Sequence, residues 1–338
     1  MSAAQEKIGI AIIGAGRMGG RWAGVIAKHD GAKLVSVFDV DAAKTATLAG
    51  TYGARAAKSL EEVAKDPAVY AALVLVTHDQ LAKASKELLE AGKHILVEKP
   101  GARSPSEFEP VVTAARAKNL RLMVGYSCRF HEHIQKAKEL VGSGALGDIL
   151  FVRARYGFGG RPDYDKEWRH DKTVAGGGEL IDQGVHLIDL ARWFLGDFAH
   201  VSGALEQGFW KGEVEDNAFL LLQTARRQTA FLHASWTQWR ALFSIEITGT
   251  EGYLVAEGLG GKYGKANEEL LWGKRKNDFS LPVDTEQNFK SDPASYNPFA
   301  HELSEFLASI RENRDPRPSG EDGLKALKIV SQIYDSAR

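Results

Sequence analysis

The sequence predicts an α/β plus α+β fold in two domains: an α/β domain with a doubly wound parallel sheet over residues 1–125, and a domain of helices and a large open, mostly antiparallel sheet over residues 126–338. Three observations lead to this prediction. The chain has 338 residues, and a domain commonly holds about 150. Short apolar runs alternate with helical segments as far as residue 125, which is typical of a parallel sheet with helices on both faces. Beyond residue 200 the strands follow one another across short turns, which indicates antiparallel pairing.

The first domain is predicted to contain five strands separated by helices. Ile8–Ile13 is a continuous apolar run, as expected for a parallel strand that is buried on both faces. A second such run, Lys33–Phe38, ends in Asp39. The other strands are predicted at Tyr70–Val76, His94–Val97 and Arg121–Gly125, and the helices at Met18–Lys28, Asp41–Gly50, Leu81–Ala91 and Ser106–Lys118.

The second domain combines a few helices with consecutive strands. Residues 258–298 are rich in glycine, asparagine, aspartate, lysine and proline, and they are predicted to be long loops. A sheet with one uncovered apolar face favours self-association, so we expect a homodimer or homotetramer formed through the C-terminal sheet. Helices are predicted at Ile134–Leu140, Leu180–Leu195, around Leu303–Ile310 and after a capping pair of Ser319 and Asp322; strands are predicted at Ile149–Tyr156, Ala218–Leu222, Thr229–Trp236, Phe243–Thr248 and Tyr253–Ala256.

The composition excludes several classes of protein. Lysine plus arginine (43) balances aspartate plus glutamate (44), which argues against a general binder of nucleic acid or of anionic membranes. Cys128 is the single cysteine, so neither an intramolecular disulfide nor a multi-cysteine zinc site can form. Met1–Lys7 is polar and no apolar run is long enough to span a bilayer, so we expect a cytoplasmic protein without a membrane partner.

A glycine-rich turn follows the first strand. Gly14-Ala15-Gly16-Arg17-Met18-Gly19 has the G-x-G-x-x-G spacing, in which successive glycines allow a tight turn, an approach to pyrophosphate and close packing of helix on strand. Asp39 ends the second strand 20 residues after Gly19, where a carboxylate accepts hydrogen bonds from a ribose 2′-OH and repels a 2′-phosphate. The pair predicts a dinucleotide site that prefers NAD to NADP, although Arg17 or Lys44 could soften that preference.

Glu98-Lys99-Pro100 closes the fourth predicted strand. Ligands of doubly wound sheets bind at the carboxyl ends of the strands, so Lys99 is expected near the nicotinamide ring. An ammonium group there would stabilise a developing alkoxide or exchange a proton.

Gly176-Gly177-Gly178 precedes a largely apolar helix that carries a polar stripe. Asp182 and His186 are four residues apart and Asp189 follows three later, so they are expected on one face. Histidine titrates near neutrality and suits the removal of a hydroxyl proton, while Asp182 would orient it or bind a substrate hydroxyl. A satisfied core histidine beside a capping aspartate is the alternative.

Other segments give weaker signals. Tyr126 and Arg129 follow the fifth strand and are expected to contact substrate; the alternative for Arg129 is a pair with a carboxylate. Trp168 and Arg169, with Tyr164 and His170 beside them, would line a sugar site or pack the domain. His131-x-His133 can bind zinc, but no segment supplies a full ligand set, so no metal is expected.

Together these segments resemble the glucose–fructose oxidoreductase, inositol dehydrogenase and rhizopine-catabolism family (Gfo/Idh/MocA). The resemblance implies a Rossmann domain, a second domain with a large open sheet, and NAD(P)-dependent oxidation of a carbinol on a sugar, cyclitol or derivative. It also implies that Lys99, Asp182 and His186 are catalytic, with Lys99 or His186 as the base. Thr77 and Glu98 join the glycine-rich turn and Asp39 as expected cofactor contacts. Thr77-His78 departs from the usual Thr-Pro of the family, so the cofactor loop is expected to differ.

Two other functions are compatible with the same fold. An NAD-dependent glycoside hydrolase would use the cofactor transiently, and a non-catalytic NAD-sensing regulator would not use it chemically. A sensor has no need of a proton-transfer set, so Lys99, Asp182 and His186 argue against the regulator.

Overall fold

A computed structural model describes residues 6–280, 286–292 and 294–337. Of the N-terminal segment considered above, Met1–Gln5 lies outside the described residues. The chain forms two compact units: one runs to Tyr126 and includes Phe299–Lys325, and the other comprises Ser127–Pro298 and the chain from Ala326 onward. Among the described residues, no helix is both long enough and apolar enough to cross a membrane.

A parallel sheet with flanking helices forms the first unit, as predicted. The helix over Arg17–Lys28, α1, buries Gly19, Trp22, Ala23 and Ile26, whose spacing places them on one face. The strands are β1 (Ile8–Ile13), β2 (Ala32–Phe38), β3 (Arg55–Ala56), β4 (Ala71–Val74), β5 (His94–Glu98) and β6 (Leu122–Gly125), in the sheet order β3-β2-β1-β4-β5-β6; the helices are α1 (Arg17–Lys28), α2 (Ala42–Tyr52), α3 (Leu60–Lys65), α4 (His78–Glu90) and α5 (Pro105–Ala117).

The second unit is built on a large, mostly antiparallel sheet, which is also confirmed. Its strand order is β14-β13-β12-β11-β7-β10-β9-β8, and β7 with β10 is the one parallel pair among the described strands of this second sheet. The strands are β7 (Ile149–Gly157), β8 (Phe198–Glu206), β9 (Asn217–Thr224), β10 (Thr229–Ser235), β11 (Leu242–Gly249), β12 (Gly252–Glu257), β13 (Glu268–Lys274) and β14 (Gln287–Ser291); the helices are α6 (Glu132–Gly142), α7 (Lys172–Ala175) and α8 (Val185–Leu195), and α8 packs on β7 and β10.

The chain ends in two helices, α9 (Pro298–Arg311) and α10 (Gly320–Ser336). Phe299–Lys325 belongs to the first unit, whereas the sequence analysis assigned all residues after 125 to the second domain. The physical reason is apolar packing, since the Phe299 ring lies edge-on to Trp22 at 5.2 Å between centroids. The predicted capping pair is present, with the Ser319 N–H donating to Asp322 Oδ2 at 2.9 Å and the Asp322 N–H donating to Ser319 Oγ at 3.2 Å.

The prediction of long loops over residues 258–298 is wrong in two places, because β13 and β14 lie there. Strand β13 turns Glu268 and Leu270 toward the interior, and both are almost fully buried. An inward carboxylate breaks the apolar alternation by which a strand is recognised. Residues 281–285 and 293 of that segment lie outside the described residues.

Candidate functional site

The glycine-rich turn connects β1 to α1 in the first unit. Gly14 has φ +103°, and a Cβ there would lie 2.5 Å from the Leu75 carbonyl oxygen. A Cβ on Gly19 would lie 2.2 Å from the Gly14 carbonyl oxygen, so packing within the protein requires both glycines. A Cβ on Gly16 would meet no atom within 4 Å. Protein packing does not explain Gly16, whereas pyrophosphate approaching the N-terminus of α1 would, so these residues fit NAD(P).

Asp39 lies beside this turn at the end of β2. Its Oδ2 accepts a hydrogen bond from the Ala15 N–H at 2.6 Å, and its Oδ1 accepts one from the Asp41 N–H at 2.9 Å. The carboxylate therefore joins the glycine-rich turn to the loop after β2, the position predicted for the ribose contact. Lys44 forms an ion pair with Asp41 at 3.3 Å, and Arg17 is exposed.

Thr77 and Lys99 follow β4 and β5 at the same carboxyl edge of the sheet. Thr77 Oγ1 donates to Asp79 Oδ1 at 2.6 Å, and α4 begins at His78. Lys99 is partly buried, and the Lys99–Pro100 peptide bond is cis. The edge thus combines the glycine-rich turn with a hydroxyl and an ammonium group, which suits a nicotinamide nucleotide.

Glu302 of α9 is a carboxyl group in the first unit that the sequence analysis did not identify. It is fully buried, and neither carboxylate oxygen has a hydrogen-bond partner. Burial, followed by the nearby charge of Glu98, raises the pKa of Glu302 well above its usual range. We therefore expect a protonated Glu302 beside the Glu98-Lys99 segment at neutral pH. No local pattern in an apolar helix distinguishes such a residue.

In the second unit, the Gly176–Gly178 segment is held by Glu215. The Gly178 and Leu180 N–H groups donate to the Glu215 carboxylate at 3.1 and 3.0 Å, and the Tyr334 hydroxyl donates to it at 2.7 Å. A Cβ on Gly177 would lie 1.9 Å from the Tyr334 hydroxyl, and one on Gly178 would lie 2.0 Å from the Glu215 carbonyl oxygen. These glycines therefore serve close packing that fixes the start of the following helix.

A π-helical turn over Leu180–Gly184 precedes α8. Single π-helical turns occur frequently at functional sites. Asp182 lies in this turn and His186 in the first turn of α8, and each is 7 % exposed. Arg169 Nε is 3.4 Å from Asp182 Oδ2, so the fold brings two of the predicted site residues into contact, and His186 follows Asp182 four residues later in the chain.

Aromatic rings surround this group. Tyr156 of β7 lies 6.1 Å from the His186 ring and 5.0 Å from the Tyr263 ring, measured between centroids. Burial raises the pKa of Tyr156 well above its usual range, so its hydroxyl stays protonated. The Arg169 guanidinium lies 4.5 Å from the Trp168 ring centroid, which places the predicted tryptophan beside the same cluster. Sequence reasoning missed Tyr156 and Tyr263, because aromatic residues in a strand and a loop have no diagnostic spacing.

Two predicted substrate contacts are buried. Arg129 donates to both carboxylate oxygens of Asp189, from Nε at 2.7 Å and from a terminal nitrogen at 2.6 Å. These two bonds favour the second expectation for Arg129, which is pairing with a carboxylate. They also show that Asp189 pairs with Arg129. Tyr126, in the first unit, is fully buried.

We expect Tyr334→Phe to lower the free energy of unfolding by about 1–3 kcal/mol, because the buried Glu215 carboxylate loses a donor. Chemical denaturation of the variant and the wild type measures this difference. Tyr253→Phe is the matched control, since that hydroxyl bonds to Glu286 nearer the surface, and a change within about 0.5 kcal/mol is expected there. Equal effects in the two variants would contradict the proposed hold on the glycine segment.

Comparison with known proteins agrees with the fold described above. Residues 8–126 match the model of an oxidoreductase family with an NAD-binding Rossmann fold, and residues 134–255 match the C-terminal domain of the Gfo/Idh/MocA family. The chain is 26% identical to 1,5-anhydro-D-fructose reductase of Ensifer adhaerens over 96% of this chain and 95% of that protein. It is 25% identical to inositol 2-dehydrogenase of Rhizobium meliloti, again over 96% and 95%.

Among solved structures, GenD2 from gentamicin A biosynthesis, in complex with NAD, superposes with a TM-score of 0.83 at 26% identity over 99% of this chain and 95% of that one. Both halves of the chain match the same family, and the fold agrees throughout. The chain therefore belongs to the Gfo/Idh/MocA family of NAD(P)-dependent oxidoreductases.

Proposed function

We propose that this protein oxidises a secondary alcohol of a sugar, a cyclitol or a related derivative, with NAD as the hydride acceptor. The observation that carries the proposal is the buried group of Asp182, His186 and Arg169 in the second unit, since polar side chains on a buried helix are otherwise costly. The relatives described above are named for an anhydrofructose and for inositol, both small polyhydroxylated rings.

In the proposed reaction His186 takes the hydroxyl proton of the substrate. Lys99 stabilises the negative charge that develops on the same oxygen, and it is the alternative base. Asp182 and Arg169 bind neighbouring hydroxyls, and the rings of Trp168 and Tyr263 cover apolar C–H surfaces of the sugar. When bound, NAD(P) supplies the hydride acceptor. Reduction of the ketone uses the same groups in reverse.

The test is reduction of NAD and NADP by the purified protein in the presence of inositols, free sugars, sugar phosphates or UDP-sugars. We expect NADH formation with at least one polyol or sugar. An aryl glycoside is assayed in parallel, because release of the aryl group without net reduction would indicate the glycoside hydrolase. Tight NADH binding with neither reaction would favour the regulator.

The proposed preference for NAD over NADP rests on Asp39. We expect Asp39→Asn to lower the ratio of kcat/KM for NAD to that for NADP by about 10- to 100-fold, because the carboxylate no longer repels a 2′-phosphate. Asparagine keeps an oxygen that can accept the Ala15 N–H, so the glycine-rich turn is retained. Asp30→Asn is the matched control, since it removes an exposed carboxylate that precedes β2, at the opposite end of the strand from Asp39, and it should leave the ratio nearly unchanged. An unaltered ratio in Asp39→Asn would contradict the assignment.

We further propose self-association through the outer face of the second sheet. Leu221 of β9 and Phe231 of β10 lie opposite each other and are 52% and 46% exposed. Phe219 stacks on His233 beside them, at 4.2 Å between ring centroids. Exposed contiguous apolar side chains of this kind mark interaction surfaces. We expect light scattering to give a dimer or tetramer mass and Phe231→Lys to shift it toward the monomer; a wild-type monomer would contradict the proposal.

The proposed location is the cytoplasm. Cys128 is the single cysteine and is buried, so the chain forms no disulfide within itself, which fits a reducing compartment.

A further inference from the structure

A cluster of His131, His133 and Glu268 lies within the second unit, outside the group formed by Asp182 and His186. His131 caps the start of α6, His133 lies in its first turn, and Glu268 begins β13. All three side chains are buried, with exposed fractions of 6%, 0% and 2%. One ligand atom from each lies within 4.8 Å of the others. Two segments that are distant in the sequence therefore bring two imidazoles and a carboxylate to one buried point.

Within the cluster, the His133 side chain lacks a well-formed hydrogen bond. His131 Nδ1 is 2.5 Å from Glu268 Oε1, which also accepts the Gly260 N–H at 2.7 Å. His133 Nδ1 is 3.1 Å from Glu268 Oε2, but neither ring nitrogen of His133 forms a hydrogen bond of acceptable geometry. A completely buried imidazole without hydrogen bonds is costly, and buried polar groups are normally satisfied. The His133 ring therefore lies close to the Glu268 carboxylate without the stabilisation that a well-aligned hydrogen bond would give.

The negative charge of the Glu268 carboxylate also favours a bound cation. In the described part of the chain, the ion-pair partners of Glu268 are the two histidines, with no lysine or arginine among them. A buried carboxylate needs compensation by a positive charge, or by a metal ion that it coordinates. An imidazole supplies a positive charge only when it is protonated, whereas a divalent cation supplies it while the three side chains act as ligands.

We propose that His131, His133 and Glu268 bind a divalent transition-metal ion, with zinc as the best match to two nitrogen ligands and one oxygen ligand. Zinc is commonly held by histidine and carboxylate ligands at about 2.0–2.2 Å, with four ligands around the ion. Tetrahedral bonds of that length separate ligand atoms by about 3.3 Å, so the observed separations need to grow by less than about 1 Å. Water would supply the fourth ligand.

The metal would act on the structure near the candidate site. Glu268 holds the Gly260 N–H, and the turn from Leu259 closes on Tyr263 through an antiparallel bridge. Tyr263 in turn packs on Tyr156, which lies next to His186. A metal bound at Glu268 would therefore order the segment that carries Tyr263. This role is structural and does not depend on the proposed dehydrogenase reaction.

The decisive experiment measures zinc in protein produced without a histidine tag. One sample is analysed as purified from zinc-supplemented cells, and another after unfolding with a chelator and refolding with zinc. We expect about one zinc per chain, and visible absorption bands characteristic of four-coordinate Co²⁺ when cobalt replaces it. Metal at 100 times its Kd should raise Tm by about 5–10 °C over the chelated protein.

Variants identify the ligands. His133→Ala and Glu268→Gln should each lower zinc content at least about tenfold, because a site with only two protein ligands is weak. His233→Ala is the matched control, since it removes a half-buried histidine of the same sheet outside the cluster. Less than about 0.1 zinc per wild-type chain in both samples would overturn the proposal, as would zinc retained by both ligand variants. If His133→Ala does not fold, the wild-type zinc content and the isosteric Glu268→Gln decide the question.

Discussion

His186→Asn is expected to lower kcat/KM by about 10²- to 10⁴-fold while the protein folds and binds NADH normally. The His186 side chain is 7% exposed and lies beside the Tyr156 ring, immediately after the π-helical turn. Asparagine keeps a polar side chain of moderate size there, so the loss is confined to proton transfer. Steady-state assays with the substrate found in the reduction panel measure the effect, and NADH fluorescence measures binding.

The control for this variant is His233→Asn. His233 is a half-buried histidine of the same unit whose Nε2 is 3.2 Å from the Asn217 side chain. We expect its kcat/KM to stay within about threefold of the wild-type value, because His233 has no part in the proposed reaction. A similar loss in both variants would mean that the effect of His186→Asn is structural, and full activity in His186→Asn would remove His186 from the mechanism.

Two variants of Lys99, tested in the same assay, distinguish Lys99 from His186 as the base. Lys99→Arg keeps the positive charge but cannot release a proton at ordinary pH, whereas Lys99→Met removes both properties. If Lys99 only stabilises charge, as proposed, Lys99→Arg should retain far more activity than Lys99→Met. Equal loss in the two variants would make Lys99 the base and reduce His186 to a positioning role.

The first unit is predictable from sequence because its strands are buried on both faces. Ile8–Ile13 is apolar throughout, and the structure has β1 over the same residues. By contrast β3 has only two residues, Arg55 and Ala56, both exposed, so no pattern marks it. In the second unit Glu268 faces inward on β13, a position that strands normally fill with an apolar residue, and this concealed the strand within a segment predicted to be loop.

The residues of the candidate site also differ in whether a local sequence pattern reveals them. Asp182 and His186 are evident in the sequence because they are polar residues on a local apolar helix, at a spacing that places them together. Glu215 and Tyr334 hold the glycine segment from positions far along the chain, and only the folded sheet and α10 bring them there. Long-range contacts of this kind leave no local periodicity, so sequence reasoning alone does not find them.

Arg129→Met is expected to destabilise the protein by about 3–5 kcal/mol, because it removes the guanidinium that pairs with the buried Asp189 carboxylate. The two side chains are 5% and 1% exposed, and the guanidinium also lies 5.2 Å from the Trp193 ring centroid. Thermal or chemical unfolding measures the change. Lys138→Met is the control, since that amine also lies over Trp193 but does not pair with Asp189, and a smaller loss is expected.

The double variant Arg129→Met with Asp189→Leu distinguishes the two interpretations of Arg129. Replacing a buried ion pair by apolar residues of similar volume is often neutral for stability, so the double variant should recover most of the stability that Arg129→Met loses. If the pair only anchors α8, three residues beyond His186, activity should return together with stability. A stable double variant that stays inactive would instead assign Arg129 to substrate binding. No recovery of stability would show that the destabilisation does not come from the loss of the pair between Arg129 and Asp189.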